Sequence, residues 1–125
     1  MAIEVSIAVN SYRSPELLRL CLQAVRRELS GATFSYEVLV VDSATEEDTE
    51  MLLREEFPEV RFFPHTENVG FGRLINTSIR ESVGKYLFFI NDEVFTFIRQ
   101  FFANQIIIMI ICQVEKILIV HWKSF

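Results

Sequence analysis

The feature that most constrains the fold of this chain is the alternation of four short apolar runs with segments that have helical periodicity. The apolar runs cover residues 5–9, 37–41, 60–63 and 86–90, and each is bounded by polar residues, as buried β-strands are. Strands that alternate with helices form largely parallel sheets covered on both faces. The pattern therefore predicts a three-layer α/β fold with a mostly parallel sheet, joined by right-handed crossovers.

Helix signals fill the three segments between these runs. Ser14 precedes Pro15, which suits a capping serine followed by a proline at the first helical position. A second helix is predicted over residues 46–57, before Pro58, and a third over 68–83, with Gly84 as its terminator. The first helix carries an apolar stripe that must face the sheet, formed by Leu17, Leu18, Cys21, Leu22 and Val25.

Polar clusters follow three of the four predicted strands, namely Asn10-Ser11-Tyr12, Asp42 and Asn91-Asp92-Glu93. In open α/β sheets, ligands bind outside the carboxyl ends of the strands, so the topology predicts that these clusters converge on one edge. The adjacent carboxylates of the last cluster suit a divalent cation that also binds phosphate oxygens, with a polar turn as the alternative. Asp42 suits a ribose or base edge, with a helix N-cap as the alternative.

The segment 68–73 is a glycine-containing helix start. Free backbone N–H groups at such a start favour an anion, and Arg73 would add a charged donor. Gly70 and Gly72 do not complete a dinucleotide fingerprint, because Ile75 stands where the third glycine is required. A tight turn at the glycines and a solvated helix face at Arg73 are the alternatives.

Charge and cysteine content exclude several classes of protein. Seventeen acids against twelve bases give a net charge of −5, which argues against nucleic acid as a partner, so any anionic ligand must be bound locally. Cys21 and Cys112 have no paired spacing and are expected to be reduced, buried thiols. His65 and His121 lack a second ligand at metal-binding spacing. The first residues do not form a secretory signal, so a cytoplasmic chain is expected.

Composition changes after residue 93. Residues 1–93 contain 9 basic and 16 acidic residues, whereas residues 94–125 contain 3 basic residues and one acid, Glu115. Isoleucine occurs 5 times before the boundary and 8 times after it. Residues 101–114 are too short and too polar to span a bilayer. We expect two parts, an α/β part over 1–93 and an apolar tail over 94–125 that packs on a partner subunit or a membrane surface, or is a degenerate end.

Four segments together resemble the successive motifs of family 2 glycosyltransferases. They are VSIAVNSY at 5–12, VLVVDSAT at 38–45, ENVGFG at 67–72 and GKYLFFINDE at 84–93. Their order and spacing also match, and four motifs in register are far more specific than any one of them. The resemblance covers residues 3–93.

The resemblance implies a GT-A fold, which is Rossmann-like, a nucleotide-diphosphate sugar as donor, and Mg²⁺ or Mn²⁺. It implies that Ser11 and Tyr12 lie beside the nucleobase and that Asp42 binds the base or ribose. Arg73 and Asp92 would also contact the nucleotide sugar. Asp92 and Glu93 would hold the metal, since residues 91–93 occupy the D-x-D position. Members of this type transfer the sugar with inversion, to an acceptor such as a glycan or lipid-linked glycan.

The chain also departs from the family pattern. Asn91 replaces the first aspartate, Glu93 is one methylene longer than the usual acid, and Ile75 stands where many relatives have an arginine. The acceptor-binding part and the catalytic carboxylate of the family follow the D-x-D, and Glu115 does not match that acidic motif, so no general base is assigned.

These departures keep two functions open. One is an inverting glycosyltransferase, incomplete at the C-terminus. The other is a catalytically inactive, truncated module that binds a donor or another protein. In either case residues 94–125 would mediate peripheral membrane association or a homo-oligomer.

Overall fold

Seven elements alternate along the part of the chain that carries the polar clusters. The computed structural model describes residues 2–92, 110–112 and 117–119. In chain order the elements are β1 (Val5–Tyr12), α1 (Pro15–Leu29), β2 (Tyr36–Ser43), α2 (Glu47–Glu56), β3 (Arg61–Pro64), α3 (Gly70–Glu81) and β4 (Tyr86–Asn91), followed by the short strands β5 (Ile110–Cys112) and β6 (Ile117–Ile119).

The strands form one sheet in the order β3-β2-β1-β4-β5-β6. The first four strands are parallel, while β5 pairs antiparallel with β4, and β6 antiparallel with β5. The chain moves outward from β1 to β3 and then returns past β1 to β4. Crossovers of one hand that run in opposite directions along a sheet place their helices on opposite faces. This order therefore creates a switch point between β1 and β4.

Two apolar clusters, one on each face of the sheet, hold the three layers together. On one face α1 and α2 pack on the strands through a core of Ile7, Val9, Leu18, Cys21, Leu22, Ala24, Val25, Leu29, Val40, Leu52, Leu53, Phe57 and Ile90. On the other face α3 contributes Leu74 to a core with Ala8, Leu39, Val41, Leu87 and Phe89. The predicted three-layer α/β fold with a mostly parallel sheet is confirmed.

The structure corrects the predicted end of the first strand. Residues 10–12 were expected to follow the first strand, but β1 continues to Tyr12, with Ser11 paired to Asp42 and Tyr12 to Ser43 on β2. Backbone pairing does not depend on side-chain polarity, so a strand can continue past the apolar run that marks its buried part. The polar residues are consequently held on the sheet itself.

One helix prediction also changes in detail, and α2 shows which of its apolar residues face the sheet. Ser14 stands at the N-cap of α1 with Pro15 at the first helical position, but its side chain makes no capping hydrogen bond, and only its carbonyl accepts from Leu18. In α2, Leu52 and Leu53 are buried whereas Met51 is exposed, because three consecutive helical positions cannot all face the sheet.

Gly84 has a different role from the predicted helix terminator. The helix α3 ends at Glu81, and Gly84 lies where the chain passes β1 on its way into β4. A Cβ at this position would lie 2.6 Å from the Ser6 nitrogen and 2.8 Å from the Val5 carbonyl carbon. Only glycine permits this approach of two backbones.

Several predictions concern residues that lie outside the described part of the chain. They concern Glu93, Glu115, His121 and most of residues 94–125, of which the structure describes the backbone of β5 and β6. Within the described part, the helices lack the combination of length and hydropathy that a bilayer-spanning segment requires.

Candidate functional site

A cleft of about 380 Å³ opens at the carboxyl ends of the parallel strands, at the switch point between β1 and β4. Its lining comes from the ends of β1, β2 and β4 and from the starts of α1 and α3. The lining residues are Asn10, Ser11, Tyr12, Ser14, Leu17, Ser43, Asn68, Gly70, Phe71, Leu74, Asn91 and Asp92. The predicted convergence of three polar clusters on one edge is observed for their described members.

Strand alternation divides these polar residues between two walls. Successive side chains of a strand point to opposite faces of the sheet. Val9 and Val40 belong to the core under α1 and α2, so Ser11 and Asp42 extend that face. Asp92 follows directly after β4 and lies on the same side, where its charge acts on Cys21 of α1. Ala8, Val41 and Phe89 belong to the core under α3, so Asn10, Ser43 and Asn91 extend the other face. The α1 wall thus carries the carboxylates, and the α3 wall carries neutral groups.

Asp42 is held beneath the cleft by the residue beside it on β1. The Ser11 hydroxyl donates to Oδ1 of Asp42, and the carboxylate is only 1% exposed. Oδ2 has no partner at good hydrogen-bond geometry among the described residues, and neither does the Thr45 hydroxyl nearby. Burial raises the pKa of Asp42 above its ordinary value, although the Ser11 and Thr45 hydroxyls oppose that rise. The N-cap of α2 is Glu46, so Asp42 does not cap that helix.

The His65 ring contacts the backbone of Asp42, a role that its sequence context did not indicate. Its Nδ1 lies 3.1 Å from the Asp42 carbonyl oxygen, and its Nε2 lies 3.1 Å from the Thr77 hydroxyl on α3. A carbonyl oxygen only accepts hydrogen bonds, so Nδ1 must carry a proton. The imidazole therefore ties the end of β2 to α3, and the only signal in the sequence is a histidine directly after β3.

The start of α3 is fastened to the end of β2. The Ser43 hydroxyl accepts from the Val69 N–H at 3.0 Å and donates to Oδ1 of Asn68 at 3.1 Å. Gly70 follows with φ +77°, a left-handed conformation that favours glycine, and its N–H donates to Asn68 at 3.2 Å. These bonds place the first turn of α3 at the cleft. The glycines at 70 and 72 have no close neighbour that a Cβ would meet, so close packing does not explain them.

Two exposed aromatic rings border the cleft. Tyr12 is 47% exposed, with the Arg13 guanidinium 5.4 Å from its ring centroid. Phe71 is 53% exposed and contacts Phe89 edge to face, with centroids 5.4 Å apart. Phe71 was missed as a site residue, although its place between two glycines at a helix start was visible in the sequence. Arg73 is exposed on α3 and does not line the cleft.

Asp92 lies buried at the end of β4, on the α1 side. It is 5% exposed, and its charge acts on Cys21 of α1, where burial first and Asp92 second raise the thiol pKa to about 12. Cys21 is a buried free thiol, as predicted. The described residues contain no group of three metal-ligating side chains. A single carboxylate still fits Mg²⁺ or Mn²⁺ at a phosphate site, where the ion takes most of its ligands from phosphate oxygens and water.

The described lining residues give one side of the cleft a negative charge, and no basic side chain among them offsets it. Among the described lining residues, none is Arg, Lys or His, and the two aspartates Asp42 and Asp92 lie on or beneath the α1 wall. An anionic ligand would therefore meet the N-terminus of α3 and would need a cation beside Asp92 to offset repulsion.

The comparisons with known proteins agree with this geometry. The family model of glycosyl transferase family 2 matches residues 6–96. A sequence search among curated proteins found no match. A mannosyltransferase from Pyrobaculum calidifontis in complex with GDP-Man and Mn²⁺ is a structural neighbour with 23% identity and a TM-score of 0.61, covering 74% of this chain and 28% of its own.

Two structures of TarS 1-349 from S. aureus are further neighbours. The complex with UDP has 18% identity and a TM-score of 0.61, covering 73% of this chain and 28% of that one. The complex with UDP-GlcNAc has 17% identity and a TM-score of 0.59, covering 83% and 32%. The chain thus spans about a third or less of these neighbours. At such identities the likeness concerns the fold, and it confirms the GT-A fold that the motifs predicted.

Proposed function

This chain belongs to glycosyl transferase family 2, and we propose that its cleft binds a nucleoside-diphosphate sugar together with a divalent cation. The sugar would pass with inversion to an acceptor glycan or lipid-linked glycan. The observation that carries the donor part is the meeting of Ser11, Asp42 and Asp92 at the switch point of a parallel sheet. Ligands of such sheets bind at that point. Neighbours that hold GDP-Man, UDP and UDP-GlcNAc support a nucleotide sugar.

The nucleoside is proposed to lie against Asp42, Ser11 and Tyr12. Asp42 has an Oδ2 without a well-placed partner among the described residues, so it retains capacity to accept a hydrogen bond from a ribose or base. Ser11 orients the carboxylate through its own hydrogen bond. The exposed Tyr12 ring offers a face on which a base can stack. Arg73 remains a prediction as a donor contact, and its exposed side chain would have to extend toward the cleft.

The diphosphate is proposed to bind beside Asp92 with Mg²⁺ or Mn²⁺, with Asp92 and Glu93 as the protein ligands. A neighbour with Mn²⁺ supports a divalent ion. When bound, the ion neutralises charge that develops on the departing diphosphate. Asp92 is buried, which limits the water that competes for its oxygens. The first turn of α3, held by Ser43 and Asn68, would direct backbone N–H groups toward the same anion.

Donor binding and sugar transfer are separate proposals for this chain. Every residue assigned above precedes residue 94, and the chain spans 28% of the mannosyltransferase that it resembles. Among the described residues none is assigned as a general base, and a second candidate is therefore a module that binds a donor or another protein without catalysis. A missing general base would cost transfer roughly a hundredfold or more. In both cases we propose a cytoplasmic protein whose residues 94–125 contact a membrane surface or a second copy.

Calorimetry with UDP and GDP tests donor binding. With Mn²⁺ present, one nucleotide should bind at least tenfold more tightly than with a chelator, because the ion offsets repulsion between carboxylates and phosphates. Asp92→Asn should remove most of this gain, whereas Asp48→Asn, which changes an exposed carboxylate on α2, should leave it intact. Equal affinity with and without Mn²⁺, or equal behaviour of both variants, would contradict the proposed metal site.

Turnover separates the two candidates. The purified chain is incubated with UDP-GlcNAc or GDP-mannose and a glycan acceptor, and release of nucleoside diphosphate is measured. Transfer that disappears in Asp92→Asn but not in Asp48→Asn supports the enzyme. Metal-dependent binding without transfer supports the binding module.

A further inference from the structure

Asn10 is a buried polar residue whose side-chain oxygen makes no hydrogen bond within the described chain. Its side chain is 7% exposed, and Oδ1 has no partner among the described residues. It nevertheless lines the cleft, at the point where β1 is paired with Asn91 of β4 on one side and Val41 of β2 on the other. An unpaired acceptor in a buried position destabilises the fold, so its place in the wall of a ligand cleft suggests a ligand as partner.

The surroundings of Asn10 restrict what that ligand group can be. On the α3 wall its neighbours along the edge are the neutral side chains Ser43, Asn68 and Asn91, while the carboxylates belong to the α1 wall. An amide oxygen needs a donor, and ionised phosphate oxygens only accept. The group that reaches Oδ1 must therefore carry an O–H or N–H and does not need a positive charge. A sugar hydroxyl has these properties.

We propose that Oδ1 of Asn10 accepts a hydrogen bond from a hydroxyl group of the bound nucleotide sugar, either on the ribose or on the transferred sugar. The inference rests on the proposed function and adds a specificity-determining residue to it. Ser11 and Asp42 hold the ligand from the α1 side, and Asn10 detects a hydroxyl from the α3 side. A ligand without that hydroxyl leaves the buried oxygen unpaired, which is the condition under which hydrogen bonds discriminate most strongly.

Asn10→Ala and a matched control separate this role from a structural one. Thr49 on α2 is also buried, and its hydroxyl has no partner among the described residues, but it does not line the cleft. Both Asn10→Ala and Thr49→Val remove a buried unpaired oxygen, so neither should lower the melting temperature much. Only Asn10→Ala should weaken binding of the nucleotide sugar, by about tenfold, the effect of one hydrogen bond.

The hydroxyl is identified by calorimetry of the full chain, with Mn²⁺, on UDP, 2′-deoxy-UDP, 3′-deoxy-UDP and UDP-GlcNAc, and on the guanosine series with GDP-mannose. If Asn10→Ala weakens the nucleotide sugar but not the nucleoside diphosphate, the partner is on the transferred sugar. If it weakens the nucleoside diphosphate and the loss disappears with one deoxy analogue, the partner is that ribose hydroxyl. Equal losses with all nucleoside diphosphates, or no loss with any nucleoside diphosphate or nucleotide sugar, overturn the inference.

The same titrations distinguish failure of this inference from failure of the proposed function. A wild-type chain that binds a nucleotide while Asn10→Ala behaves like Thr49→Val overturns the role of Asn10 alone. A wild-type chain that binds no member of either series overturns the proposed function and this inference with it.

Discussion

Strand β2 carries a carboxylate near each of its ends, and the two differ in how many hydrogen bonds they accept from the chain. Glu37 lies at the amino end of the sheet and Asp42 at the carboxyl end. The first is surrounded by donors from its own chain, and the second has one firm donor and an oxygen left over. The carboxylate at the amino end therefore has its hydrogen bonds supplied by the fold itself. The carboxylate at the carboxyl end retains an oxygen that can accept a hydrogen bond from a ligand.

Glu37 closes a network that joins three strands to the end of α3. Its Oε1 accepts from the Ser6 hydroxyl at 2.7 Å and from the Val83 N–H at 2.9 Å, and its Oε2 accepts from Nη1 of Arg61 at 2.8 Å. Arg61 also donates to the Glu81 carbonyl. Burial alone would raise the pKa of Glu37, but these hydrogen bonds hold it below the ordinary value of 4.5.

Asp42 shows the reverse balance. Burial raises its pKa above the ordinary value of 3.8, because the hydrogen bond from Ser11 and the nearby Thr45 hydroxyl do not compensate for the loss of water. The ionised form of Asp42 is therefore less favourable in the folded chain than in the unfolded chain. The comparison suggests that stability depends on the amino end of β2 and ligand binding on its carboxyl end, which three substitutions and one control can test.

The largest effect is expected at the amino end, for Gly84→Ala. The added Cβ would lie 2.6 Å from the Ser6 nitrogen and 2.7 Å from the Ser6 hydroxyl, so two strands must move apart. We expect the free energy of unfolding to fall by about 3 kcal/mol, the upper range for overpacking. Urea denaturation measures it.

Gly72→Ala is the matched control at the carboxyl end. A Cβ there meets nothing within 4 Å, and alanine favours a helix over glycine by up to about 1 kcal/mol. This variant should be as stable as the wild type or more so. If both glycine variants lose the same free energy of unfolding, the close approach of Gly84 to the β1 backbone does not explain why glycine is needed at position 84.

The next effect is expected for Glu37→Gln, at about 2 kcal/mol of destabilisation at pH 7, because a charged acceptor is lost and Arg61 meets an amide donor. The folded pKa is lowered, so the carboxylate contributes stability above pH 4.5, and this contribution disappears as the pH falls through the folded pKa. The difference between wild type and variant in urea unfolding should shrink below pH 4.5. A difference that stays constant with pH would exclude the charge as its cause.

The smallest effect on stability is expected for Asp42→Asn. The folded pKa is raised, so the ionised carboxylate opposes folding, and this cost grows as the pH rises from 3.8 through the folded pKa. At pH 7 the variant should be unchanged or more stable by up to about 1 kcal/mol. Its affinity for UDP or GDP should nevertheless fall about tenfold in calorimetry. Loss of stability with unchanged affinity would place Asp42 in the same class as Glu37.

Much of the fold could be predicted because its signals are local. Each signal sets the structure of only a few residues around it. Examples are the apolar runs at strand length, the proline at the start of α1 and the glycine at the start of α3. The alternation of the elements then restricts the sheet to a parallel one with helices on both faces. For the same reason the strand-end residues Ser11, Asp42 and Asp92 could be expected to meet at one edge.

The sequence by itself determined which residues lie at the cleft. Only the tertiary structure decided how these residues are divided between the α1 wall and the α3 wall. The extension of β1 to Tyr12 places Asn10 and Ser11 on opposite walls, since side chains alternate along a strand. The link from His65 to Asp42 and Thr77 joins residues that are 23 and 12 positions apart. Such contacts depend on strand register and helix placement, which result from packing over the whole sheet and leave no local pattern in the sequence.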